Sequence, residues 1–379
     1  MKKTTLLKIL FFSISLFFSN GYALDNVQKN IRIGIILDEV SVTIGSSRDF
    51  FVYDSAGKKL KLTKGTVNIS YSQRGAHIGK HDLSLPIRIE PLNGVIFVNS
   101  KPYRGYLVLK KSGKRMNVIN VLDIEDYIKG VLPKEVSCDW HAEALKAQAV
   151  ISRTYAISNL NRHSAQGFDL CSTTHCQVYG GLGAETKKTN QAVSEINGEI
   201  VTYQGKPAQT VFHATCGGHT EDPKYIWDWK ETPPYLKGVK CRYCGKSPHA
   251  KWAQDLDENF VRNKLKIGKI KNIKIKGKTS SGAAKQLEIT HSNGKSVLNA
   301  YEFRLYVDAW KIKSHFFNSI KIKNDKICFK GKGWGHKAGL CQCGAKGMAE
   351  KGKTYSTILY HFYPGTKIET VNYKNKDTI

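Results

Sequence analysis

The chain has 379 residues, 41% of them hydrophobic and 24% charged, which excludes a disordered protein and allows two or three domains with buried cores. Its formal net charge of +28 predicts a polyanionic partner. For a chain that stays in the cytosol, the first such partner to consider is nucleic acid.

Residues 1–23 have the pattern of a secretion signal. Lys2 and Lys3 form a basic start, an apolar stretch follows from Leu6 to Phe18, and Gly21-Tyr22-Ala23 is a small-x-small cleavage site. Cleavage would remove three lysines and no acid, which lowers the net charge to +25. We therefore predict an exported protein of the periplasm or cell envelope, with no nucleic-acid partner. The alternative is an uncleaved membrane anchor, although the apolar run is shorter than the ~20 residues that span a bilayer.

The sequence predicts an α+β fold with a β-rich N-terminal region. From Ile31 to Val118 polar and apolar residues mostly alternate, with breaks at turns, which indicates a small β domain over residues 24–117. Because this region has no cluster of His, Cys and carboxylate residues, we expect it to act as a scaffold or in binding. A mixed α/β domain is predicted over residues 118–367, and a polar tail over 368–379.

Helical signals open the second predicted domain. Asp123 is predicted as the N-cap of a short helix that ends at Gly130, and Pro133 is expected to prevent its continuation. Glu135 is then predicted in a turn before an alanine-rich helix from about Trp140 to Leu160. Further predicted elements are a helix at 186–197, a strand hairpin within 199–218, a lysine-rich α/β subregion at about 253–330, and two helices near the C-terminus.

Glu135 is the first candidate for catalysis. A carboxyl that acts as a general acid needs a raised pKa, which burial among apolar neighbours supplies. Its apolar neighbours in sequence are Val131, Leu132, Val136 and Trp140. The simpler interpretation of these residues alone is a solvated glutamate in a turn.

A second candidate is a metal site formed by His163, Cys171, His175 and Cys176. Thiolate and imidazole are the ligands that zinc prefers, and a closed tetrahedral site needs four of them. Because adjacent residues ligate one ion only where the chain bends, His175 is alternatively a residue that faces a substrate. A disulfide between Cys171 and Cys176 is the alternative that export permits.

The remaining cysteines allow a second site. Cys216, Cys241 and Cys244 make a zinc site if either His219 or His249 supplies the fourth ligand, and disulfides are the alternative. The spacing of Cys341 and Cys343 is too short for a metal pair, so we interpret them as buried thiols. The nearby run of glycines lacks the Lys-Ser/Thr ending of a phosphate loop.

Six separated motifs resemble those of the stage II sporulation protein D (SpoIID) / LytB family. They span roughly residues 118–367. In chain order they are Glu135 before Trp140-His-Ala-Glu-Ala-Leu-Lys-Ala-Gln-Ala-Val, Ser152-Arg-Thr-Tyr-Ala, Thr174-His-Cys-Gln-Val-Tyr179, Phe212-His-Ala-Thr-Cys-Gly-Gly218, Pro234-Tyr-Leu and Gly333-Trp-Gly-His336.

The resemblance implies a peptidoglycan-processing protein. SpoIID-type members are similar to lytic transglycosylases, which cleave the bond between N-acetylmuramic acid and N-acetylglucosamine in strands that lack stem peptides and leave 1,6-anhydro ends. LytB-type members imply instead a non-catalytic enhancer that recruits or stimulates an N-acetylmuramoyl-L-alanine amidase. The implied partners are therefore peptidoglycan glycan strands and such an amidase. Membrane anchoring is expected only if the signal segment stays uncleaved.

When the family motifs are matched to this sequence residue by residue, the resemblance implies that Glu135 is catalytic. It also implies that a structural zinc ion lies in the region of His163, Cys171 and Cys176. Lys146 shares a helix face with Arg153 and is predicted to bind the muramyl carboxylate with it, and the alternative is that both are solvated surface charges. The groove residues that the resemblance implies are Arg153, Gln177, Tyr179, His213 and His336. The departures from the family pattern are Val136 in place of methionine, Lys337-Ala338 in place of Gly-Val, and Cys343 in place of an aromatic residue.

Overall fold

The computed structural model describes residues 27–92, 94–227 and 229–374. The predicted signal segment and the last five residues of the predicted polar tail lie outside these ranges. The described residues form two compact units. The first unit comprises residues 27–211, 345–361 and 365–374, and the second unit comprises residues 212–344 and 362–364.

The first unit begins with a run of strands, which confirms the β-rich N-terminal region of the predicted α+β fold. In the strand Ser41–Ser46, Val42 and Ile44 are buried while Ser41 and Thr43 are exposed, so the alternation in sequence follows the two faces of a sheet. The strands are β1 (Val27–Gln28), β2 (Asn30–Glu39), β3 (Ser41–Ser46), β4 (Phe50–Tyr53), β5 (Lys59–Leu62), β6 (Gly65–Ser72), β7 (Gly75–Ile78), β8 (His81–Leu83), β9 (Ile87–Pro91), β10 (Val95–Val98), β11 (Lys101–Arg104), β12 (Tyr106–Ser112) and β13 (Arg115–Asp123).

Most of these strands belong to two sheets. One has the order β11-β10-β3-β6-β7-β8. The other has the order β14-β2-β13-β12-β9-β4-β5, in which β14 is the two-residue strand Leu170–Cys171. The predicted boundary between residues 117 and 118 falls inside β13, which pairs with both β2 and β12. The sheet therefore includes segments from both sides of that boundary.

Three α-helices follow β13 before the chain enters the second unit. Asp123 caps the first of them, as predicted, because its carboxylate accepts a 2.7 Å hydrogen bond from the Glu125 N–H. The elements after β13 are α1 (Ile124–Glu135), α2 (Ala142–Ser158), short 3-10 helices at Ser164–Gln166 and Leu182–Ala184, α3 (Lys187–Glu195), β15 (Glu199–Tyr203) and β16 (Lys206–Pro207).

The prediction that the first helix ends at Gly130 is wrong, because α1 continues to Glu135. Gly130 serves close packing: a Cβ there would lie 2.4 Å from Cε2 of Tyr179. Pro133 lacks an N–H and removes one helical bond, yet the last turn still closes because the Val136 N–H donates to the Leu132 carbonyl at 3.1 Å.

The second unit has an aromatic core that includes Phe303, Phe317 and Phe329. The elements are β17 (Phe212–His213), short 3-10 helices at Pro223–Tyr225 and Pro234–Leu236, β18 (Trp252–Asp257), α4 (Glu258–Leu265), β19 (Ile270–Lys278), β20 (Ala284–His291), β21 (Gly294–Asn299), α5 (Ala300–Val307), β22 (Phe317–Lys323), β23 (Lys326–Gly331), β24 (Leu340–Cys341) and the start of α6 (Gln342–Ala349). The strands form the sheets β18-β23-β22 and β19-β20-β21 and the parallel pair β17-β24.

The chain closes with α7 (Tyr355–Phe362), β25 (Lys367–Thr370) and β26 (Tyr373–Lys374). β25 pairs with β15, and β26 pairs with β1, so the described part of the predicted polar tail contains strand residues. The hairpin predicted within residues 199–218 is formed by β15 and β16, whereas Phe212–His213 pairs with β24. No helix in the described ranges is both long and apolar enough to cross a membrane.

The close approach at Gly130 predicts that Gly130→Ala destabilises the first unit by about 1–3 kcal/mol, because the added methyl group overpacks against Tyr179. This loss should appear although alanine favours a helix by ~1 kcal/mol over glycine. Urea unfolding monitored by circular dichroism measures it. The matched control is Gly183→Ala, whose Cβ would meet its nearest neighbour at an ordinary 3.6 Å. Equal stability of the Gly130→Ala protein and the wild type would contradict the packing argument.

Candidate functional site

Glu135 is the last residue of α1, not a turn residue as predicted, and its side chain is half-buried. Its Oε1 accepts a 3.2 Å hydrogen bond from the backbone N–H of Val178. Burial raises the pKa of Glu135 to about 7, and the bond from Val178 offsets only part of this effect. A carboxyl with this pKa is both a proton donor and a proton acceptor near neutral pH.

Val178 belongs to the loop 163–179, which is attached to the seven-stranded sheet. Within this loop β14 pairs in parallel with β2, so that Leu170 lies opposite Ile33 and Cys171 lies opposite Gly34. The loop also buries Phe168 against this sheet, and a Cβ on Gly34 would lie 2.9 Å from the phenyl ring. The sheet therefore holds the loop in place.

An ion pair fixes the start of the same loop. The Arg32 guanidinium donates to both carboxylate oxygens of Asp169, at 3.1 and 2.7 Å. Asp169 also accepts backbone N–H bonds from Arg32 and Asn161, at 2.9 and 3.1 Å. Since Asp169 is 2% exposed, these bonds compensate the cost of burying its charge.

The loop brings together the four predicted ligands, His163, Cys171, His175 and Cys176. One nitrogen or sulfur atom from each lies within 4.8 Å of all the others. His163 Nε2 is 3.4 Å from Cys176 Sγ, and His175 Nδ1 is 3.7 Å from Cys171 Sγ and 3.5 Å from Cys176 Sγ. The adjacent His175 and Cys176 both reach the cluster because the chain turns here, with the Cys176 N–H donating to the Thr173 carbonyl at 3.1 Å.

The surroundings of this cluster fit a bound zinc ion. Two thiolates and two imidazoles are a common donor set for closed tetrahedral zinc sites. His163 Nδ1 lies 3.0 Å from Gln166 Oε1, so a hydrogen bond there holds the proton on Nδ1 and leaves Nε2 facing the sulfur atoms. His163 also stacks on Phe168, with ring centroids 4.9 Å apart. The orientation of the imidazole is thus set by groups outside the cluster.

Gln177 and Tyr179, two predicted groove residues, are both buried in the first unit. Gln177 Oε1 accepts a 3.3 Å bond from the Tyr127 hydroxyl, while its Nε2 has no hydrogen-bond partner within the described chain. The Tyr179 hydroxyl donates to Asn120 Oδ1 at 3.0 Å. Gln177 therefore retains a donor within the loop, whereas Tyr179 joins α1 to β13.

Arg153 does not occupy the position predicted for it. Its side chain is fully buried and donates two bonds to the Glu125 carboxylate, at 2.7 and 2.6 Å, and one to the Glu199 carbonyl, at 2.9 Å. Both α1 and β15 pack against α2, and the partners of Arg153 lie on these two elements. Arg153 is therefore part of the core, not of a binding groove.

Lys146 lies near the surface but is already paired. Its Nζ is 3.2 Å from Glu143 Oε1 and 2.6 Å from Glu195 Oε2. These two carboxylates raise the pKa of Lys146, and the ammonium remains charged throughout the neutral range. A ligand carboxylate would have to compete with both glutamates for this cation.

His213 and His336, the other predicted groove residues, lie in the second unit, with ring centroids 5.6 Å apart. His213 Nδ1 bonds to the Ala338 carbonyl at 2.9 Å, and its buried Nε2 lacks a partner among the described residues. Burial lowers the pKa of both imidazoles, that of His336 to about 4, so both are neutral at pH 7. The Trp227 ring lies 5.0 Å from that of His336.

The departure at Lys337 has a structural basis. Its φ of +71° lies in the left-handed region that glycine, the common family residue here, adopts without strain. The lysine side chain is buried, and its Nζ donates to Ser281 Oγ at 3.1 Å and lies 4.6 Å from the centre of the Phe316 ring. These contacts accommodate the longer residue.

Sequence reasoning missed one residue of the second cysteine cluster. The structure groups Cys216, Cys241 and Cys244 with Cys341, and neither His219 nor His249 is in this group. His219 Nδ1 bonds instead to the Thr220 carbonyl at 2.6 Å, and His249 packs against a tryptophan ring. The pairing of β17 with β24 brings Cys341 to the cluster, and only that long-range pairing identifies it.

Comparison with known proteins identifies two family models within the chain. Residues 112–203 match a model described as Stage II sporulation protein. Residues 242–339 match a model described as a domain of unknown function. The first match contains α1, α2 and the loop 163–179, and the second lies within the second unit.

Relatives extend the similarity over more of the chain. An uncharacterized protein of Brachyspira hyodysenteriae is 37% identical over 286 residues, which cover 74% of this chain and 76% of that protein. Stage II sporulation protein D of Bacillus subtilis is 32% identical over 263 residues, which cover 65% of this chain and 74% of that protein. An amidase enhancer of Bacillus subtilis is 29% identical over 84% of this chain, and the match spans only 51% of the enhancer.

The raised pKa of Glu135 predicts how stability depends on pH. Because the folded protein binds this proton more tightly than the unfolded chain does, ionisation of Glu135 reduces stability as pH rises from about 4.5 to about 7. Glu135→Gln removes this loss. We expect its free energy of unfolding, relative to wild type, to increase by on the order of 1–3 kcal/mol across that range.

Urea unfolding of both proteins between pH 4.5 and 8 measures this difference. Glu39→Gln is the matched control for the loss of one carboxylate, because Glu39 is exposed at the end of β2. A difference between Glu135→Gln and wild type that stays constant with pH would contradict the raised pKa.

Proposed function

The chain belongs to the stage II sporulation protein D family, and from this premise we propose that it is a peptidoglycan lytic transglycosylase. The observation that carries the proposal is the half-buried Glu135 carboxyl with a pKa of about 7. A transglycosylase needs one carboxyl that first donates a proton and then accepts one, and Glu135 has the pKa for both steps. The substrate is glycan strands that lack stem peptides.

Glu135 would act in two steps. It protonates the glycosidic oxygen between N-acetylmuramic acid and N-acetylglucosamine, and the bond from that oxygen to muramyl C1 breaks. The carboxylate then takes the proton of the muramyl C6 hydroxyl, whose oxygen bonds to C1 and closes a 1,6-anhydro ring. Because no water attacks, the two carboxylates of an ordinary glycosidase are not required.

Zinc has a structural role in this proposal. His163, Cys171, His175 and Cys176 would hold the ion and thereby fix the loop 163–179. Val178 lies two residues beyond Cys176, and its N–H contacts Glu135 directly. An ordered loop therefore keeps one donor on the carboxylate and excludes water from one side of it.

Export to the cell envelope is part of the proposal, supported by the signal pattern of residues 1–23. The high positive charge favours association with anionic wall polymers. Once an amidase has removed the stem peptide, each muramyl residue carries a free lactate carboxylate. A cationic protein would therefore be attracted to such denuded strands.

The second candidate function is a non-catalytic enhancer that binds glycan and stimulates an N-acetylmuramoyl-L-alanine amidase. The observation that favours it is the similarity to the amidase enhancer of Bacillus subtilis. In that case the chain binds glycan but forms no anhydro ends, and the pKa of Glu135 has no catalytic consequence.

Incubation of the purified protein with denuded glycan strands, followed by mass spectrometry, distinguishes the two functions. We expect 1,6-anhydro-muramyl products from wild type, and a loss of at least about 100-fold with Glu135→Gln, because a positioned acid and base contributes this much. The rate should fall as pH rises above about 7, where the acid form of Glu135 is lost.

Glu39→Gln, with its exposed side chain far along β2, is expected to retain wild-type activity. If wild type stimulates an amidase but forms no anhydro products, the enzyme proposal is wrong and the enhancer function is supported. Products from Glu135→Gln at the wild-type rate would exclude Glu135 as the catalytic residue.

The zinc proposal has a separate test. Cys171→Ser and Cys176→Ser should each lower the zinc content of the purified protein by one equivalent, measured by elemental mass spectrometry, and should lower its melting temperature. Cys138→Ser is the control, since Cys138 lies outside both cysteine clusters. An unchanged zinc content in both cluster variants would contradict the assignment.

A further inference from the structure

The second cysteine cluster lies entirely within the second unit. Cys216, Cys241, Cys244 and Cys341 are each at most 3% exposed, and their four sulfur atoms lie within 4.8 Å of one another. We propose that these four cysteines bind one structural zinc ion, separate from the zinc proposed for the loop 163–179.

The spacing of the sulfur atoms fits a tetrahedral metal site. Zinc–sulfur bonds of about 2.3 Å place two ligands of a tetrahedron about 3.8 Å apart. The sulfur atoms of Cys216 and Cys244 are 3.6 Å apart, close to this value and well beyond the ~2.0 Å of a disulfide bond. Cys241 and Cys244 supply the Cys-x-x-Cys half of the ligand set, a spacing common in structural zinc sites.

Backbone N–H groups point at the sulfur atoms. The Cys216 and Gly344 N–H groups donate to Cys341 Sγ at 3.2 and 3.3 Å, and the Gly218 N–H donates to Cys216 Sγ at 3.4 Å. Such bonds stabilise the charged thiolate, which is the form that binds zinc. A disulfide sulfur carries no charge and gains little from these donors.

Glycines make room for the sulfur atoms. A Cβ on Gly344 would lie 2.7 Å from Cys241 Sγ, so any larger residue would displace that ligand. Gly217, which follows Cys216, has a φ of +74°, and a Cβ there would lie 2.8 Å from the Cβ of Lys332. Gly344 therefore lets the backbone approach Cys241 Sγ closely, and Gly217 lets the turn after Cys216 pack against Lys332.

The position of the cluster explains why the second unit needs a metal. Among the described residues 214–227 and 229–251, which connect β17 to β18, regular structure is limited to the short 3-10 helices Pro223–Tyr225 and Pro234–Leu236 and to isolated β-bridges. So long a connection with little regular hydrogen bonding is uncommon in a compact domain, and a bound metal would add a tie to it. Three ligands lie in this connection and Cys341 lies in β24, so the metal joins the connection to the β17-β24 pair.

Metal analysis of the full-length protein tests the proposal. Cys341→Ser and Cys244→Ser should each lose one zinc equivalent relative to wild type, whatever the loop 163–179 holds, and Cys343→Ser should lose none. Cys343 is the matched control, because it is two residues from Cys341 but outside the cluster. Equal zinc content in wild type, Cys341→Ser and Cys244→Ser would overturn the proposal.

A second measurement keeps the test valid if the serine variants fold poorly. The Cys171→Ser/Cys176→Ser protein, loaded with cobalt(II), should show the intense thiolate-to-metal charge-transfer absorption of a tetrahedral four-sulfur site, and Cys244→His in that background should shift its bands. Absence of this absorption would overturn the zinc assignment. So would a protein mass that is two hydrogens lower for each disulfide formed among these cysteines, or a metal analysis that finds iron in place of zinc. None of these outcomes bears on glycan cleavage, so the proposed function is tested independently.

Discussion

The buried ion pair between Arg153 and Glu125 is the interaction on which the first unit depends. Besides the two bonds from Arg153, the Glu125 carboxylate accepts the Gly198 N–H at 3.2 Å and the Tyr373 hydroxyl at 2.8 Å. Arg153 in turn donates to the Glu199 carbonyl. One charge pair thus joins α1, α2, the start of β15 and β26. Loss of either charge would leave the other buried alone, at a cost of about 3–5 kcal/mol.

This pair also determines where the candidate catalytic carboxyl lies. Glu125 is in the first turn of α1 and Glu135 is its last residue, so the helix extends about 15 Å from one to the other. At the far end the Val178 N–H meets Glu135, and Val178 belongs to a loop that is fixed to β2. The ion pair holds the start of the helix and β2 holds the loop, and the carboxylate lies where helix and loop meet.

The sequence predicted the elements and the local cluster well, since both depend on short-range patterns. His163, Cys171, His175 and Cys176 lie close together in the chain, so one local turn is enough to bring their ligand atoms together. Cys341 could not be assigned in this way, because 125 positions separate it from Cys216. The errors at Gly130 and Arg153 have a common cause, because the role of each residue depends on a side chain that is distant in sequence. Tyr179 packs against Gly130, and Glu125 pairs with Arg153. Helical periodicity does not predict such contacts.

The two-residue strand β14 has a consequence for solubility. It pairs with β2 at Ile33 and Gly34 and is the terminal strand of its sheet. If the loop 163–179 were released, β2 would become the outer strand, with unpaired backbone groups beside the apolar side chains of Ile31 and Ile33. Such an edge can pair with a strand of another molecule. The same loop that contacts the carboxylate therefore also protects the protein against self-association.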